Sequence, residues 1–117
     1  MSFETILIET ADLIGTITLN RPQQYNAFSS QLAEEFTQAL QQLDKDDKVR
    51  VIILKGAGKA FCAGIDINEL FGKTAMEYRA WIEHMEKPLF TISRMKKPVI
   101  AQVHGVATAN GAGLVAA

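Results

Sequence analysis

Two short, continuous apolar runs constrain the fold of this chain more than any other feature. Residues 51–54 (Val-Ile-Ile-Leu) and 99–103 (Val-Ile-Ala-Gln-Val) are each preceded by a longer segment of helical character. Such runs are typical of strands that are covered on both faces of a sheet. Because strands that alternate with helices pair in parallel through crossovers, the expected class is α/β with a mainly parallel sheet.

The N-terminal third predicts a hairpin followed by a helix. Residues 4–10 and 13–19 are two runs rich in β-branched side chains, separated by a short polar break. This pattern indicates a β-hairpin, which Pro22 ends because proline donates no ladder hydrogen bond. Apolar residues then recur at helical spacing over residues 31–44, which predicts an amphipathic helix.

A second helix is predicted between the two apolar runs. Residues 75–92 have helical character, and Pro88 is expected to break the helix. Upstream of it, Asp66 and Glu69 have the spacing of a capping box, in which Glu69 reaches back to the start of a helix.

The charge balance excludes several classes of partner. The 117 residues include 12 basic and 13 acidic ones, so no large basic field is available for nucleic acid. No apolar run approaches the roughly 20 residues that span a bilayer, and the N-terminus lacks a signal-peptide pattern. The expected location is cytoplasmic, with no membrane partner.

The C-terminal residues predict an incomplete element. Residues 111–117 resemble the first turns of an apolar helix, without a cap or a stop signal. We therefore expect residues 1–117 to be the N-terminal part of a single domain, truncated at its C-terminus.

Two glycine-containing turns are the best candidates for chemistry. Residues 60–66 and 104–111 each follow an apolar run and lead into a predicted helix. Helix N-termini present unpaired backbone N–H groups, and two such groups that face each other stabilise a developing oxyanion. From spacing alone the alternative is that the glycines only make the turns tight. Neither turn has the pattern of a phosphate-binding loop.

Other reactive side chains give weaker signals. Cys62 is the single cysteine and is better interpreted as a packed small residue than as a nucleophile. His84 fits a helix surface, and His104 fits a structural position beside a glycine. No metal is predicted, since the sequence has no HExxH and no pair of histidines at ligand spacing.

Five ordered motifs carry a family resemblance that extends from residue 3 to the end. The chain resembles the enoyl-CoA hydratase/isomerase (crotonase) superfamily in Leu-Asn-Arg-Pro at 19–22, Tyr-Asn-Ala-Phe at 25–28, Val-Ile-Ile-Leu-Lys-Gly at 51–56, Lys-Ala-Phe-Cys-Ala-Gly-Ile-Asp at 59–66 and Lys-Pro-Val-Ile-Ala-Gln-Val-His-Gly at 97–105.

The resemblance implies a fold, a ligand and an assembly. The fold would be the ClpP/crotonase-like fold, a spiral of ββα units, of which this chain holds the N-terminal portion. The ligand would be an acyl-CoA thioester bound as substrate, with no further cofactor. The activity would be that of a lyase or isomerase of fatty acid metabolism, in a homotrimer or hexamer.

The resemblance also assigns residues to roles. It implies that the backbone N–H of Ile65 is one oxyanion donor and that of Asn110 the other, with Gly111 as the neighbouring alternative. The residues that it implies for binding of substrate and CoA are Gln23, Gln24, Tyr25, Ala63, Gly64, Ile65 and Asp66.

One departure from the family pattern bears on the reaction. Hydratases of the family carry a glutamate at the position that aligns with Gly113, which has no side chain. An isomerase-like or other family reaction is therefore favoured over simple hydration. Two alternatives stay open, which are a non-catalytic subunit that binds acyl-CoA or serves assembly, and an inactive fragment that aggregates or needs a partner chain.

Overall fold

Four strands and three α-helices make up the part of the chain that the computed structural model describes, residues 3–108 and 110–117. In chain order they are β1 (Ile6–Ala11), β2 (Ile14–Leu19), α1 (Ser30–Lys45), β3 (Val51–Gly56), α2 (Ala75–Arg94), β4 (Val99–Ala101) and α3 (Asn110–Ala116). Single turns of 3-10 helix lie at Pro22–Gln24 and Ile67–Glu69.

The sheet has the order β1-β2-β3-β4 and is mixed. β1 and β2 form the predicted antiparallel hairpin, whose turn residues Asp12 and Leu13 have φ values of 54° and 70°. Two consecutive left-handed residues match the turn that the right-handed twist of a hairpin favours. β3 pairs in parallel with β2 and with β4, so α1 and α2 are the crossover helices, and the predicted α/β class is confirmed.

The core lies on one face of the sheet. In β2 and β3 buried residues alternate with more exposed ones, and the buried set packs against the apolar face of α1. Ile100 of β4 remains 55% exposed. Within the described residues the prediction of two covered faces was therefore wrong for β4, whereas β3 has no exposed residue.

The predicted amphipathic helix is confirmed as α1, and it starts at a defined cap. The Ser29 hydroxyl accepts a hydrogen bond from the Leu32 N–H at 3.1 Å, which satisfies one of the free donors of the first turn. At the other end, Lys97 Nζ donates to the carbonyl oxygens of Leu43 and Asp46, both at 2.6 Å. The ammonium group so complements the negative end of the helix.

The prediction that Pro88 breaks the second helix was wrong. α2 runs without interruption through Pro88, and Thr74 with Glu77 forms a complete capping box at its start. Trp81, Met85 and Pro88 are buried on its inner face. Packing of this face compensates for the backbone hydrogen bond that proline cannot donate. Neither α2 nor any other described helix has an apolar stretch that could cross a membrane.

The capping box predicted at Asp66 is only half present. The Asp66 side chain accepts from the Asn68 N–H at 3.0 Å, but the element that it caps is a single 3-10 turn. Glu69 does not reach back to Asp66. Its carboxylate instead binds Ser30, at the start of α1, and Trp81, on α2. Glu69 thus joins α1 to α2 and does not cap its own turn.

Candidate functional site

The two glycine-containing turns lie side by side. Cys62 forms an isolated parallel bridge with Ala107, in which the Cys62 N–H donates to Val106 O at 3.0 Å and the Thr108 N–H donates to Cys62 O at 3.1 Å. Gly111 approaches the same backbone so closely that a Cβ atom built on it would lie 2.2 Å from Cys62 O. Both predicted oxyanion segments therefore belong to one small region of the molecule.

Ile65 has the backbone orientation that an oxyanion donor needs. Phe28 bridges Ile65 in parallel, because its N–H donates to Gly64 O at 2.7 Å and its carbonyl accepts from the Asp66 N–H at 2.8 Å. In such a bridge the residue between the two hydrogen-bonded positions, here Ile65, has its N–H pointing away from the partner segment. No acceptor within the described ranges bonds to the Ile65 N–H, so this donor is available to a ligand.

The second turn distinguishes between the two predicted donors. The Gly111 N–H donates to Thr108 O at 2.8 Å and is thus engaged by the protein. α3 begins at Asn110, whose backbone N–H remains the candidate for the second donor. Ala109, which precedes it in the predicted turn, lies outside the described residues.

The expectation that both candidate donors lie at helix starts is correct for Asn110, at which α3 begins, and wrong for Ile65. Ile65 lies two residues before a single turn of 3-10 helix, which has only a weak macrodipole. The backbone bridge at Phe28, and not a helix terminus, accounts for the orientation of the Ile65 N–H.

One buried amide fixes the loops that surround the first turn. Asn26 is fully buried, with a φ of 58°. Its Oδ1 accepts from the Arg21 N–H at 2.8 Å, and its Nδ2 donates to the carbonyl oxygens of Ala57 and Ala60, both at 2.9 Å. The side chain thus joins the end of the hairpin to the loop that leads into the first turn.

An ion pair anchors the residue that follows Ile65. Arg21 Nη2 lies 3.0 Å from Asp66 Oδ2, and Arg21 Nη1 donates to Ala27 O. The hydrogen bond from the Asn68 N–H, together with the hydrogen bond and positive charge of Arg21, holds the pKa of Asp66 below its ordinary value. Asp66 is therefore an anionic anchor over the whole neutral range.

The predicted CoA-binding residues divide into two groups. Gln23 and Tyr25 line a shallow groove of about 370 Å³ together with Pro22, Gly58 and Lys59, and Gln24 is exposed beside it. Ala63, Gly64, Ile65 and Asp66 are not in its lining, although the Ala63 N–H donates to Tyr25 O at 3.0 Å. Lys59, a cation in the loop before the first turn, also lines this groove and was not among the predicted residues.

A larger groove is not connected with this chemistry. It measures about 760 Å³, lies between α1 and α2, and shares no lining residue with either turn or with the groove at Tyr25. Its walls carry charges of both signs, including Glu34, Asp44, Lys87 and Arg94. We therefore place the candidate site at the two turns.

The structure gives structural roles to the three weaker candidates from the sequence, Cys62, His84 and His104. Cys62 is fully buried, and burial raises the pKa of its thiol to about 11, so it is a neutral packing residue. His84 Nε2 lies 2.9 Å from Ser30 O, and His104 Nε2 lies 2.7 Å from Gly58 O. His84 thus joins α2 to the start of α1, and His104 joins the loop after β4 to the loop after β3. His84 is half-buried where a surface position was expected.

Gly113 lies in the middle of α3, where a side chain has room. A Cβ atom built on Gly113 would meet only Leu89, with its Cδ atoms at 3.5 and 3.6 Å, which is ordinary van der Waals contact. A methyl group therefore fits at position 113 within the described part of the chain.

Similarity to known proteins extends over nearly the whole chain. The family model described as Enoyl-CoA hydratase/isomerase matches residues 9–117. The chain is 36% identical to the peroxisomal Delta(3,5)-Delta(2,4)-dienoyl-CoA isomerase of Arabidopsis thaliana, over 99% of this chain and 46% of that protein. It is 42% identical to a protein of Rhizobium meliloti named "probable enoyl-CoA hydratase", over 97% of this chain and 44% of that protein.

A solved structure shows the same fold. The enoyl-CoA hydratase of Mycobacterium smegmatis superposes with a TM-score of 0.91 at 37% identity, over 97% of this chain and 45% of that one. The chain therefore spans less than half the length of the relatives that it matches, and it has the fold of their N-terminal portion. On the evidence of sequence, fold and matched length, this chain belongs to the enoyl-CoA hydratase/isomerase family.

Proposed function

We propose that the protein that contains this chain acts on an acyl-CoA thioester and stabilises its enolate oxygen with the backbone N–H groups of Ile65 and Asn110. The observation that supports this most directly is the Phe28 bridge, in which the Ile65 N–H points away from Phe28 and has no acceptor in the described residues. Enolisation places negative charge on the thioester oxygen, and fixed donors stabilise that charge without reorganisation. Loss of one such donor costs about 10²–10³ in rate.

The CoA portion is proposed to lie in the groove lined by Gln23, Tyr25 and Lys59. The Ala63 N–H bonds to Tyr25 O, so this groove joins the first turn through one backbone contact. Lys59 is exposed and supplies a positive charge that suits the phosphates of CoA. No cofactor other than the thioester substrate is needed for this chemistry, and assembly as a homo-oligomer is part of the proposal.

The proposed reaction is an isomerisation, or another conversion of an acyl-CoA, in preference to hydration. Gly113 offers no carboxylate to activate water at the position where family hydratases carry a glutamate. Proton transfer between two carbons of an enolate needs a single acid-base group. A shift of a double bond therefore survives the loss at Gly113 better than the addition of water does.

The test compares two activities of the full-length protein. Hydration of crotonyl-CoA is measured beside the shift of a double bond in a 3-enoyl-CoA, each for the unmodified protein and for Gly113→Glu and Gly113→Gln. We expect isomerisation without hydration in the unmodified protein, and a gain of hydration in Gly113→Glu only. Robust hydration by the unmodified protein would refute the preference for isomerisation.

A non-catalytic role is the second candidate, and the missing side chain at Gly113 is the observation that favours it. Isothermal titration with a CoA thioester, combined with an activity screen over several acyl chain lengths, separates the two functions. Tight binding without turnover at any chain length would support a binding or assembly subunit. Turnover of any of these thioesters would rule that role out.

A further inference from the structure

We infer that Arg21 is a positioning residue, because its ion pair with Asp66 sets the direction of the Ile65 N–H. This inference rests on the proposed function and adds a residue that the family resemblance did not assign. Arg21 is not part of the two turns, and it lies 45 positions before Asp66 in the chain.

The backbone of Arg21 is itself held in place. Its N–H donates to Asn26 Oδ1 at 2.8 Å, and its carbonyl accepts from the N–H groups of Gln24 and Asn26 at 3.0 and 2.9 Å. Three hydrogen bonds thus fix the backbone of this residue. The backbone of Arg21 is thus a fixed point from which the guanidinium group extends.

The guanidinium group bonds to both segments that form the Phe28–Ile65 bridge. Nη1 donates to Ala27 O, directly before Phe28, and Nη2 donates to Asp66 Oδ2, directly after Ile65. The two side chains of the pair are 17% and 12% exposed, so solvent screens their attraction only in part. Because Asp66 also accepts from the Asn68 N–H, its carboxylate is fixed at both oxygens.

A backbone donor needs this kind of support from outside its own residue. The Ile65 N–H is a backbone group, so its direction depends on how the flanking peptide groups are held. Phe28 holds these peptide groups by two hydrogen bonds, and the Arg21–Asp66 pair keeps the two bridged segments in register. A small rotation of the peptide would lengthen the bond to an oxyanion, and misplacements of about 1 Å cost up to about 10²-fold in rate.

The experiment measures kinetics and the polarisation of a bound carbonyl in the full-length protein. A saturated acyl-CoA with a ¹³C-labelled thioester carbonyl is bound, and its C=O stretch is recorded by difference infrared spectroscopy. We expect a shift to lower frequency in the unmodified protein and a smaller shift in Arg21→Met. The kcat of Arg21→Met should fall by about 10–100-fold, with a smaller change in KM.

Two further variants separate positioning from a merely structural role. Arg21→Lys keeps a cation for Asp66 and should recover part of the carbonyl shift and of kcat. Asp66→Asn keeps an oxygen for the Asn68 N–H but removes the negative charge and the acceptor for Arg21 Nη2, so it replaces Arg21→Met if that variant does not fold. Glu77→Gln, in the capping box of α2, is the matched control and should leave both readouts unchanged.

The outcomes distinguish the inference from the function on which it rests. If a folded Arg21→Met or Asp66→Asn variant keeps the carbonyl shift and kcat of the unmodified protein, the positioning role is refuted, even if the melting temperature falls. If the unmodified protein itself produces no carbonyl shift, the proposed oxyanion function fails and the positioning role fails with it.

Discussion

Gly111 packs directly on the backbone of Cys62, so that a Cβ atom at position 111 would lie 2.2 Å from the Cys62 carbonyl oxygen. The φ of Gly111 is not in the left-handed region, since the glycines with positive φ are at other positions. The requirement for glycine here is therefore one of space and not of backbone conformation. It is the contact that lets the second turn approach the first.

We predict that Gly111→Ala separates the two turns. The added methyl group has no room beside Cys62, and overpacking of this kind costs about 1–3 kcal/mol of unfolding free energy. Urea denaturation followed by tryptophan fluorescence measures the loss, and acyl-CoA turnover should fall with it. Gly113→Ala is the matched control in the same helix. It should raise stability by up to about 1 kcal/mol, because its methyl group meets only Leu89 at normal distance. Equal effects of the two substitutions would contradict this account.

We predict that Asn26→Ala is strongly destabilising. The substitution removes three hydrogen bonds, leaves the Ala57 and Ala60 carbonyl groups without this donor, and places alanine at a φ of 58°. Together these effects should cost about 2–4 kcal/mol in the free energy of unfolding. Asn68→Ala, at an exposed position, should stay within about 0.5 kcal/mol. A loss at Asn26 no larger than at Asn68 would show that the buried amide does not tie these loops together.

We predict an acid-dependent loss of stability that depends on Glu69. Burial raises the pKa of this carboxyl group, but hydrogen bonds from the hydroxyl and N–H of Ser30 and from the Trp81 indole outweigh it, so the net pKa is below the ordinary value of 4.5. A carboxyl group whose pKa is lower in the folded state stabilises the protein at pH values above its unfolded-state pKa. This contribution is lost as the pH falls through the folded-state pKa. Glu69→Gln should cost about 1 kcal/mol at pH 7 and little at pH 3.

The check for Glu69 is the unfolding free energy from urea titrations at several pH values between 7 and 3. The curve of Glu69→Gln should be flatter than that of the unmodified protein over this window. Glu83→Gln, at an exposed position of α2, should leave the pH dependence as it is. Parallel curves for Glu69→Gln and the unmodified protein would exclude a depressed pKa at this carboxyl group.

We predict that Cys62 resists thiol reagents in the folded protein. The side chain is fully buried and its pKa is raised to about 11, so at pH 8 it offers neither access nor thiolate. Reaction with Ellman's reagent should be slow in buffer and rapid in denaturing urea, where the cysteine is exposed. Rapid modification of the folded protein at pH 8, without loss of structure, would indicate a reactive thiol instead.

The order and type of the elements could be predicted from the sequence because these features follow from local patterns. The β-branched runs gave the strands, and the recurrence of Leu32, Phe36, Leu40 and Leu43 gave the face of α1 that is buried. Pro88 was misinterpreted because the packing of α2 overrides a local cost, and that packing is not visible in the segment itself. The exposure of Ile100 likewise depends on what covers the sheet, which a strand's own sequence does not specify.

The meeting of the two turns could be predicted from the sequence, but the contacts that support them could not. Family-like motifs pointed to Ile65 and to the second turn, and the structure places both segments beside Cys62. The partners of Asp66 and Glu69 are Arg21 and Ser30, which lie 45 and 39 positions away. Neither pair has a spacing rule, so the sequence offered no signal for them, and the capping box was the nearest local alternative.

The long separations in this region have a kinetic consequence. The Asn26 amide bonds to Ala57 and Ala60, which lie 31 and 34 positions further along the chain. The Arg21–Asp66 pair joins residues that are 45 positions apart. Contacts at such separation form after local helices and hairpins, because the entropy of loop closure must be overcome first. A partly folded chain with its hairpin and α1 intact would still lack a directed N–H at Ile65. Recovery of the proposed thioester binding during refolding would then report the last steps of folding, well after circular dichroism has reached its native value.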